Sequence, residues 1–368
     1  MATAQVHETH RTGGGRLHAA RAVLERGIEQ QAFPGAAWGV LHRGEVVAQD
    51  AVGRFTYDES SPAVEPGTVF DLASVTKVLA TTSAAMVLVD QGRLDLDMRL
   101  GDILPGFVVG MEPHSGKERV TLRMLLEHTS GLPAYVELFR TCATPDALLR
   151  AALALPLEAK PGERAEYSDI GFILLGKALE VLSGEKLDRL WMREVREPLG
   201  LETARFCPPR WLREGIAPTE NDTWFRGRLI QGEVQDENAY VLGGVAGHAG
   251  LFANTGDLLR LAACLLAGGK MADGRQVFRP ETVELFTKRQ ESGRALGWDV
   301  PKETGSAAGK HFGPRSIGHL GYAGTSLWID PERELAVALL TNRTWPDRSS
   351  QAIKAVRPTF HDAVVEEL

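Results

Sequence analysis

A serine and a lysine three residues apart, Ser74-Val75-Thr76-Lys77, follow Phe70-Asp71-Leu72-Ala73 at the mouth of an apolar run. Residues at that separation project from the same side of a helix, so the amine can approach the hydroxyl and ease its deprotonation. This is the geometry of an activated nucleophile. Spacing alone decides nothing, because a second copy, Ser183-Gly184-Glu185-Lys186, has it too. Ser183-Gly184 reads as a helix stop, so the ends of the second copy share no helix face. Around the first copy, Asp71 can cap a helix, and Val75, Val78, Leu79, Thr82, Met86 and Val89 recur at helical spacing. Ser74 then falls in the first turn, where unpaired N–H groups and the positive end of the helix dipole favour an oxyanion.

A Ser-Lys pair needs a proton acceptor and later a donor to the leaving group. A tyrosine can be both if a nearby lysine depresses its pKa. Of five tyrosines, only Tyr167 stands in a Tyr-x-[Asn/Asp] arrangement, Tyr167-Ser168-Asp169, just before a helical pattern. The plainer alternative is that Ser168 or Asp169 merely caps the helix beginning at Ile170. The third feature is Gly318-His319-Leu320-Gly321-Tyr322-Ala323-Gly324-Thr325. Its glycines let a ligand lie against a strand edge, which can offer N–H groups to a substrate carbonyl. His248-Ala249-Gly250 and His311-Phe312-Gly313 share the His-x-Gly spacing, but only His319 leads into strand patterns.

The elements that must position these residues are legible from periodicity. A helix is expected over Leu17–Gln31, then strands over Ala36–Leu41 and Glu45–Ala51 turned at Arg43-Gly44. Helical patterns dominate the middle: Ser74–Gln91, Leu122–His128, Pro145–Leu155, Ile170–Leu182, Leu187–Val195 and Asp257–Leu266. Strand patterns return over Ser316–His319, Thr325–Ile329 and Leu335–Thr341, before a last helix from about Ser350 to Leu368. Strands at both ends imply an α+β fold. An antiparallel sheet built from residues 1–72 and 290–368 is flanked by the terminal helices, with a mostly helical domain, 73–289, inserted between. The cleft between them is the expected place for chemistry.

Composition narrows the function classes. Of 368 residues, 43% are hydrophobic and 24% charged, as in a globular protein, and 41 basic against 48 acidic residues leave a net charge of -7. Interspersed charge of that sign argues against nucleic acid as a partner. Val78–Val89, the longest weakly polar stretch, is broken by Thr81, Thr82 and Ser83 and falls short of a bilayer span. Met1–Gly15 lacks the basic start and apolar run of a secretory signal. The chain as it stands therefore reads as cytoplasmic, or as periplasmic or secreted if a signal has been removed. Cys142, Cys207 and Cys264 read as buried free thiols. No cofactor and no metal is expected. There is no His-Glu-x-x-His, His7-Glu8-Thr9-His10 lies in a terminal tail, and Gly243-Gly244 with Gly247 lacks a phosphate loop's Gly-Lys-[Ser/Thr] ending. Asp236-Glu237-Asn238 and His248 read as loop hydrogen bonding, His128-Thr129-Ser130-Gly131 as a helix end closed by Gly131, and Trp191, Trp224, Trp298 and Trp328 as core or cleft walls.

Taken in order, Ser74-Val75-Thr76-Lys77, Leu125-Leu126-Glu127-His128-Thr129-Ser130-Gly131-Leu132-Pro133, Tyr167-Ser168-Asp169 and His319-Leu320-Gly321 resemble the serine β-lactamase-related family. That family includes class C β-lactamases, low-molecular-weight penicillin-binding proteins, D-aminopeptidases and family VIII esterases. The resemblance runs from about Pro34 to Arg343. Gly243-Gly244-Val245-Ala246-Gly247-His248-Ala249-Gly250-Leu251-Phe252 and Leu340-Thr341-Asn342-Arg343 further resemble its penicillin-binding-protein 4B-like branch. The resemblance implies a β-lactamase/transpeptidase-like fold and an acyl-enzyme on Ser74. It also implies that Lys77 tunes the site, that Tyr167 is acid and base, that His319 stands at the place of the family's Lys-Thr-Gly lysine, and that the N–H groups of Ser74 and Tyr322, beside Gly321, form the oxyanion hole.

Two departures matter. Asp169 stands where many relatives have Asn, so a donor to the substrate is lost and the added charge should keep Lys77 protonated, favouring Tyr167 as base. His319, largely neutral at pH 7, anchors a carboxylate more weakly than lysine would, and Arg315 or Arg343 are candidates to compensate. The expected protein is a serine hydrolase acting on small-molecule esters or amides, β-lactam-like or D-amino-acid-containing substrates among them. The rival is a catalytically silent penicillin-binding or peptidoglycan-fragment sensor, acylated without turnover. Oligomeric state is left open.

Overall fold

The computed structural model describes residues 17–109 and 115–368, so the tail carrying His7 and His10 and the Gly13-Gly14-Gly15 entry lie outside the described residues. Helix α1, His18–Glu29, leads into strands β1, Gly35–His42, and β2, Glu45–Gly53. Strands β3, Ile317–Leu320, β4, Ser326–Asp330, and β5, Leu335–Thr341, complete an antiparallel sheet in the order β2-β1-β5-β4-β3. β1 pairs with β5 from Ala36 opposite Thr341 to His42 opposite Leu335, which joins the two ends of the chain at the centre of the sheet.

Alternation along those central strands explains why both faces are covered. Ala36, Trp38 and Val40 of β1, with Leu335, Val337 and Leu339 of β5, point toward α1 and the last helix, Ile353–Glu366. Ala37 and Leu41, with Ala336, Ala338 and Leu340, face the other way into the large core shared with the helices of the middle region. Trp38 meets Phe360 edge-on at 5.6 Å between centroids, and each such buried side chain contributes about 1.5–3 kcal/mol over the exposed state. Thr255–Leu266, which the expected boundary places in the helical domain, packs directly on β1 and β5.

Most expected elements appear within one to three residues of their expected ends. The middle helices run Leu122–Leu126, Pro145–Ala154, Asp169–Ser183 and Leu187–Trp191, the last continuing to Leu199 through a wider π turn. Unexpected pieces are short: a helix over Pro280–Thr287, a three-stranded patch of Phe70–Asp71, Leu251–Ala253 and Arg205–Phe206, and a two-stranded ribbon of Glu220–Asp222 with Arg228–Ile230. The helix carrying Ser74 extends over Ala73–Asp90, longer than the Val78–Val89 stretch and apolar enough by composition alone to cross a bilayer. Most of it is enclosed by the fold, which makes it a core helix of this molecule. Cys142 and Cys264 are buried and free, but Cys207 is exposed, correcting the expectation for all three thiols. It follows the short edge strand Arg205–Phe206 and turns at a positive φ of 46°, and its Sγ donates to the Gly243 carbonyl at 3.3 Å.

Candidate active site

Ser74 sits where a two-residue strand, Phe70–Asp71, turns abruptly into the core helix. Asp71 Oδ1 accepts the Ala73 N–H at 2.8 Å, and Ala73 adopts a positive φ of 47°, a conformation costing of order 1–3 kcal/mol. The helix starts as a tight 3₁₀ turn over Ala73–Val75 and widens to a π turn over Lys77–Thr82, and Ser74 remains partly exposed. Lys77, fully buried, points its Nζ back at Ser74 Oγ across 3.2 Å. The same Nζ donates to Asp169 Oδ1 at 2.6 Å and to the His248 carbonyl at 3.1 Å. All three protons of the ammonium form thus have acceptors.

Tyr167 arrives from the loop before helix Asp169–Ser183. Ser168 does cap that helix, its Oγ accepting the Gly171 N–H at 2.9 Å, so the plainer reading of the tripeptide and the chemical one are both realised. The Tyr167 ring lies 4.8 Å from Lys77 Nζ, and its phenol is near enough to Ser74 for hydrogen bonding to the serine to lower its pKa. The structure brings Ser74, Lys77, Tyr167 and Asp169 into one cluster. The second Ser-x-x-Lys copy behaves as its glycine indicates: Ser183 ends the helix, Gly184 has a φ of 73°, and Lys186 pairs with Glu180 on the surface.

Several residues that sequence reasoning set aside as structural build this cluster. The His128 carbonyl accepts the Glu166 N–H at 2.8 Å, and its Nδ1 accepts the Ser168 N–H at 3.0 Å, gripping the chain on both sides of Tyr167. Its ring packs against the Tyr167 ring, centroids 4.7 Å apart, and the Asp169 N–H donates to the Ala134 carbonyl at 2.8 Å. The 128–134 segment is therefore the cradle of the tyrosine loop. His248 Nε2 and Asp236 Oδ1 lie 2.8 Å apart across the glycine-rich loop. That pair fixes the carbonyl which Lys77 uses. A Cβ at Gly247 would come within 2.0 Å of the Phe172 carbonyl, which is why the strap bearing His248 passes this closely. Arg294, ion-paired with Asp299, places its guanidinium 6.0 Å from the Tyr167 ring, and no sequence pattern marked either residue.

His319 lies on β3 with its ring enclosed, 6.0 Å from that of Tyr167 between centroids. A carbonyl can only accept, so the 2.9 Å contact with the Leu320 carbonyl puts the proton of His319 on Nδ1 and leaves the buried Nε2 as a lone pair. Burial, with Lys77 and Arg294 nearby, pulls its pKa down to about 4 against the opposing effect of Asp299. It is therefore neutral at pH 7 and offers no positive charge. Arg343 does stand beside Tyr322, but donates from Nε to the Tyr322 carbonyl at 2.6 Å and from Nη1 to the Ser350 carbonyl at 3.0 Å. Arg315 is exposed.

The charge balance revises one expectation. Burial, reinforced by Asp169, raises the Tyr167 phenol well above its ordinary pKa despite the pull of Ser74, so Tyr167 rests as the neutral phenol, not a depressed one. Lys77 moves the other way: desolvation lowers its pKa although Asp169 opposes it. Asp236 stays below its ordinary value, because burial is outweighed by His248, the Ala239 N–H and Lys77. Of the two groups beside Ser74, the amine is the one whose basicity shifts toward the neutral, proton-accepting form.

The turn Gly321–Gly324 lies against the chain that enters Ser74. Gly324 N–H donates to the Gly321 carbonyl at 3.1 Å, Gly321 N–H to the Thr325 carbonyl at 2.7 Å, and Thr325 Oγ1 to the Leu72 carbonyl at 2.8 Å, just before Ser74. A Cβ on Gly321 would meet Thr325 Oγ1 at 1.9 Å and the Leu72 carbonyl at 2.5 Å. The Ser74 and Tyr322 N–H groups have no backbone acceptor among the described residues.

Comparison with known proteins gives consistent results. The family model described as Beta-lactamase matches residues 20–357. A protein of Escherichia coli K12, provisionally named a D-alanyl-D-alanine carboxypeptidase, is 34% identical over 358 residues, covering 87% of this chain and 81% of the relative. An N-acetylmuramyl-L-alanine amidase of Bacillus subtilis strain 168 is 33% identical over 379 residues, covering 91% and 83%. Among solved structures, EstCE1, a hydrolase with promiscuous acyltransferase activity, superposes with a TM-score of 0.73 at 24% identity, covering 94% of this chain and 97% of its own.

Proposed function

The chain belongs to the beta-lactamase family, whose relatives are broadly serine hydrolases, and on that footing we propose that it forms and hydrolyses an acyl-enzyme on Ser74, taking neutral esters and small amides as substrates. The observation that carries this reading is the buried Lys77 amine 3.2 Å from a partly exposed Ser74 hydroxyl, with the Tyr167 phenol beside both.

In this reading Lys77 reacts from its neutral fraction: the free amine takes the Ser74 proton as Oγ attacks the carbonyl carbon, and the negative charge formed on the carbonyl oxygen is received by the N–H groups of Ser74 and Tyr322. Collapse of the tetrahedral species breaks the bond to the leaving group, which takes the Tyr167 proton. The phenolate so formed recovers a proton from the Lys77 ammonium. Water then attacks the acyl-enzyme, its proton passes to Lys77, and Oγ leaves with a proton delivered through Tyr167. Every proton is returned and the acid is released.

The preference for neutral substrates rests on the cations around Ser74. Lys77 is paired with Asp169 and Arg294 with Asp299, while Arg343 is engaged by carbonyls and His319 is neutral. A substrate carboxylate would have to displace one of these partners. A D-Ala-D-Ala peptide should therefore turn over more slowly than its C-terminal methyl ester. The direct test is intact-mass analysis during p-nitrophenyl butyrate turnover. A transient butyryl adduct is expected on the wild-type protein and none on Ser74→Ala, whose thermal midpoint should stay within a few degrees. A stable adduct without product release would instead favour the sensor, and no adduct would sink acylation altogether.

A further inference from the structure

Arg357, in the last helix, is buried, and its Nη2 donates to two backbone carbonyls of the turn opposite Ser74: Gly321 at 2.7 Å and Thr325 at 2.8 Å. No acidic side chain pairs with it among the described residues, and its Nε has no partner. The Gly321 carbonyl and the Tyr322 N–H belong to one peptide group. A charged donor on the oxygen of a peptide draws electron density through the conjugated C–N bond and makes the N–H at its other end a stronger donor. Arg343 Nε holds the next carbonyl, that of Tyr322, at 2.6 Å. The turn is tied within itself as well, the Gly324 N–H donating to the Gly321 carbonyl at 3.1 Å and the Gly321 N–H to the Thr325 carbonyl at 2.7 Å.

We propose that Arg357 is a positioning residue for the oxyanion site, holding and polarising the Gly321–Tyr322 peptide so that the Tyr322 N–H meets the developing negative charge on the substrate carbonyl oxygen. This rests on the acyl-enzyme reading and extends it to a residue far along the chain that does not touch substrate. It also gives the unpaired guanidinium a physical counterpart. A buried cation without a counter-ion is costly in the resting molecule, and burial with the nearby charge of Arg343 lowers its pKa to about 9. The missing negative charge is supplied when the oxyanion forms on the far side of the peptide. Arginine suits the role because the two hydrogens of its Nη2, fixed in the guanidinium plane, reach both carbonyls at once, which a freely rotating lysine ammonium does less rigidly.

The test compares the wild-type protein with Arg357→Met, which keeps length without charge, and Arg357→Lys, which keeps charge without the planar guanidinium. Infrared difference spectra of a slowly hydrolysed acyl-enzyme read the Ser74 ester carbonyl directly, because stronger oxyanion hydrogen bonds lower its stretching frequency. In Arg357→Met the band should move to higher frequency and kcat should fall about 10- to 100-fold, less than outright loss of an oxyanion donor, with KM changed less than about threefold. Arg357→Lys should lie between, and its band carries the test if the Met variant does not fold. An acyl band unmoved in the folded variants, or kcat falling only in step with the folded fraction, would overturn the assignment. A wild-type protein that accepts no acyl group would instead remove the hydrolase reading beneath it.

Discussion

Replacing Asp169 with Asn is the most informative single change, because the structure gives both its sign and its size. Lys77 is fully buried, and its Nζ has one charged partner within hydrogen-bonding distance, Asp169 Oδ1 at 2.6 Å; the other two acceptors are the neutral oxygens of Ser74 and His248. At an effective dielectric near 20, opposite charges at that separation attract by about 6 kcal/mol. Proteins express such a contact as a pKa shift of about 1–3 units, equivalent to roughly 1.4–4 kcal/mol. Asp169 favours the ammonium, so an uncharged amide there lowers the Lys77 pKa below its already depressed value. If neutral Lys77 accepts the Ser74 proton, the neutral fraction at a given pH below the pKa rises about tenfold per unit. The acid limb of log kcat/KM against pH should therefore move down by about 1–3 units. Initial rates on p-nitrophenyl butyrate from pH 4.5 to 9 read this directly. Stability gives a second readout. An ammonium buried without its carboxylate is destabilising by about 3–5 kcal/mol, so Asp169→Asn should be weakest at acid pH and recover as Lys77 loses its proton. An acid limb that stays in place, or moves up, would refute Lys77 as the base and return that role to Tyr167.

Tyr167→Phe removes the proton donor to the leaving group but keeps the ring against His128, so kcat should fall about 10²- to 10⁴-fold with KM nearly constant; an unchanged kcat excludes the role. His128→Ala leaves the buried Ser168 N–H without its acceptor, at a cost of about 1–3 kcal/mol, and should lower kcat as well as Tm. His128→Asn, whose amide oxygen can accept that N–H, should recover part of both, whereas loss of Tm alone in the two variants would confine His128 to stability. Acid should destabilise the fold through His319 and His361, each pushed down to about 4 by burial. Between pH 6.5 and 4 the unfolded chain binds protons that the native chain refuses, so each contributes about 3 kcal/mol that is lost as pH falls. Asp71 opposes this, because burial raises it to about 6 and its contribution is present at low pH and lost as pH rises through 6. These three leave a net decrease of about 3 kcal/mol between pH 7 and 4, and His128, held well below its ordinary value by burial, deepens it. Urea midpoints that hold steady or rise toward acid would contradict it.

Short-range pattern was enough to place Ser74 and Lys77 on one helix face, Tyr167 at a helix entrance and His319 at the start of a strand pair. Three-residue spacing, cap chemistry and alternating burial are local properties that the chain carries in its own order. The five-strand sheet was legible for the same reason, since the strand patterns at the two ends of the chain supply each other's hydrogen-bonding edges. What the sequence could not supply was the sum of influences on each group. Tyr167 was expected to be depressed by Lys77 and is instead raised, because burial and Asp169 both act on it and neither follows from a neighbour in sequence. The parts played by His128, Arg294 and Arg357 were likewise invisible, each lying tens to hundreds of residues from the group it supports. Composition and periodicity determine which side chains seek the core. Only the closed fold decides which charges and lone pairs meet there, because desolvation and Coulomb terms depend on distances through space and not along the chain.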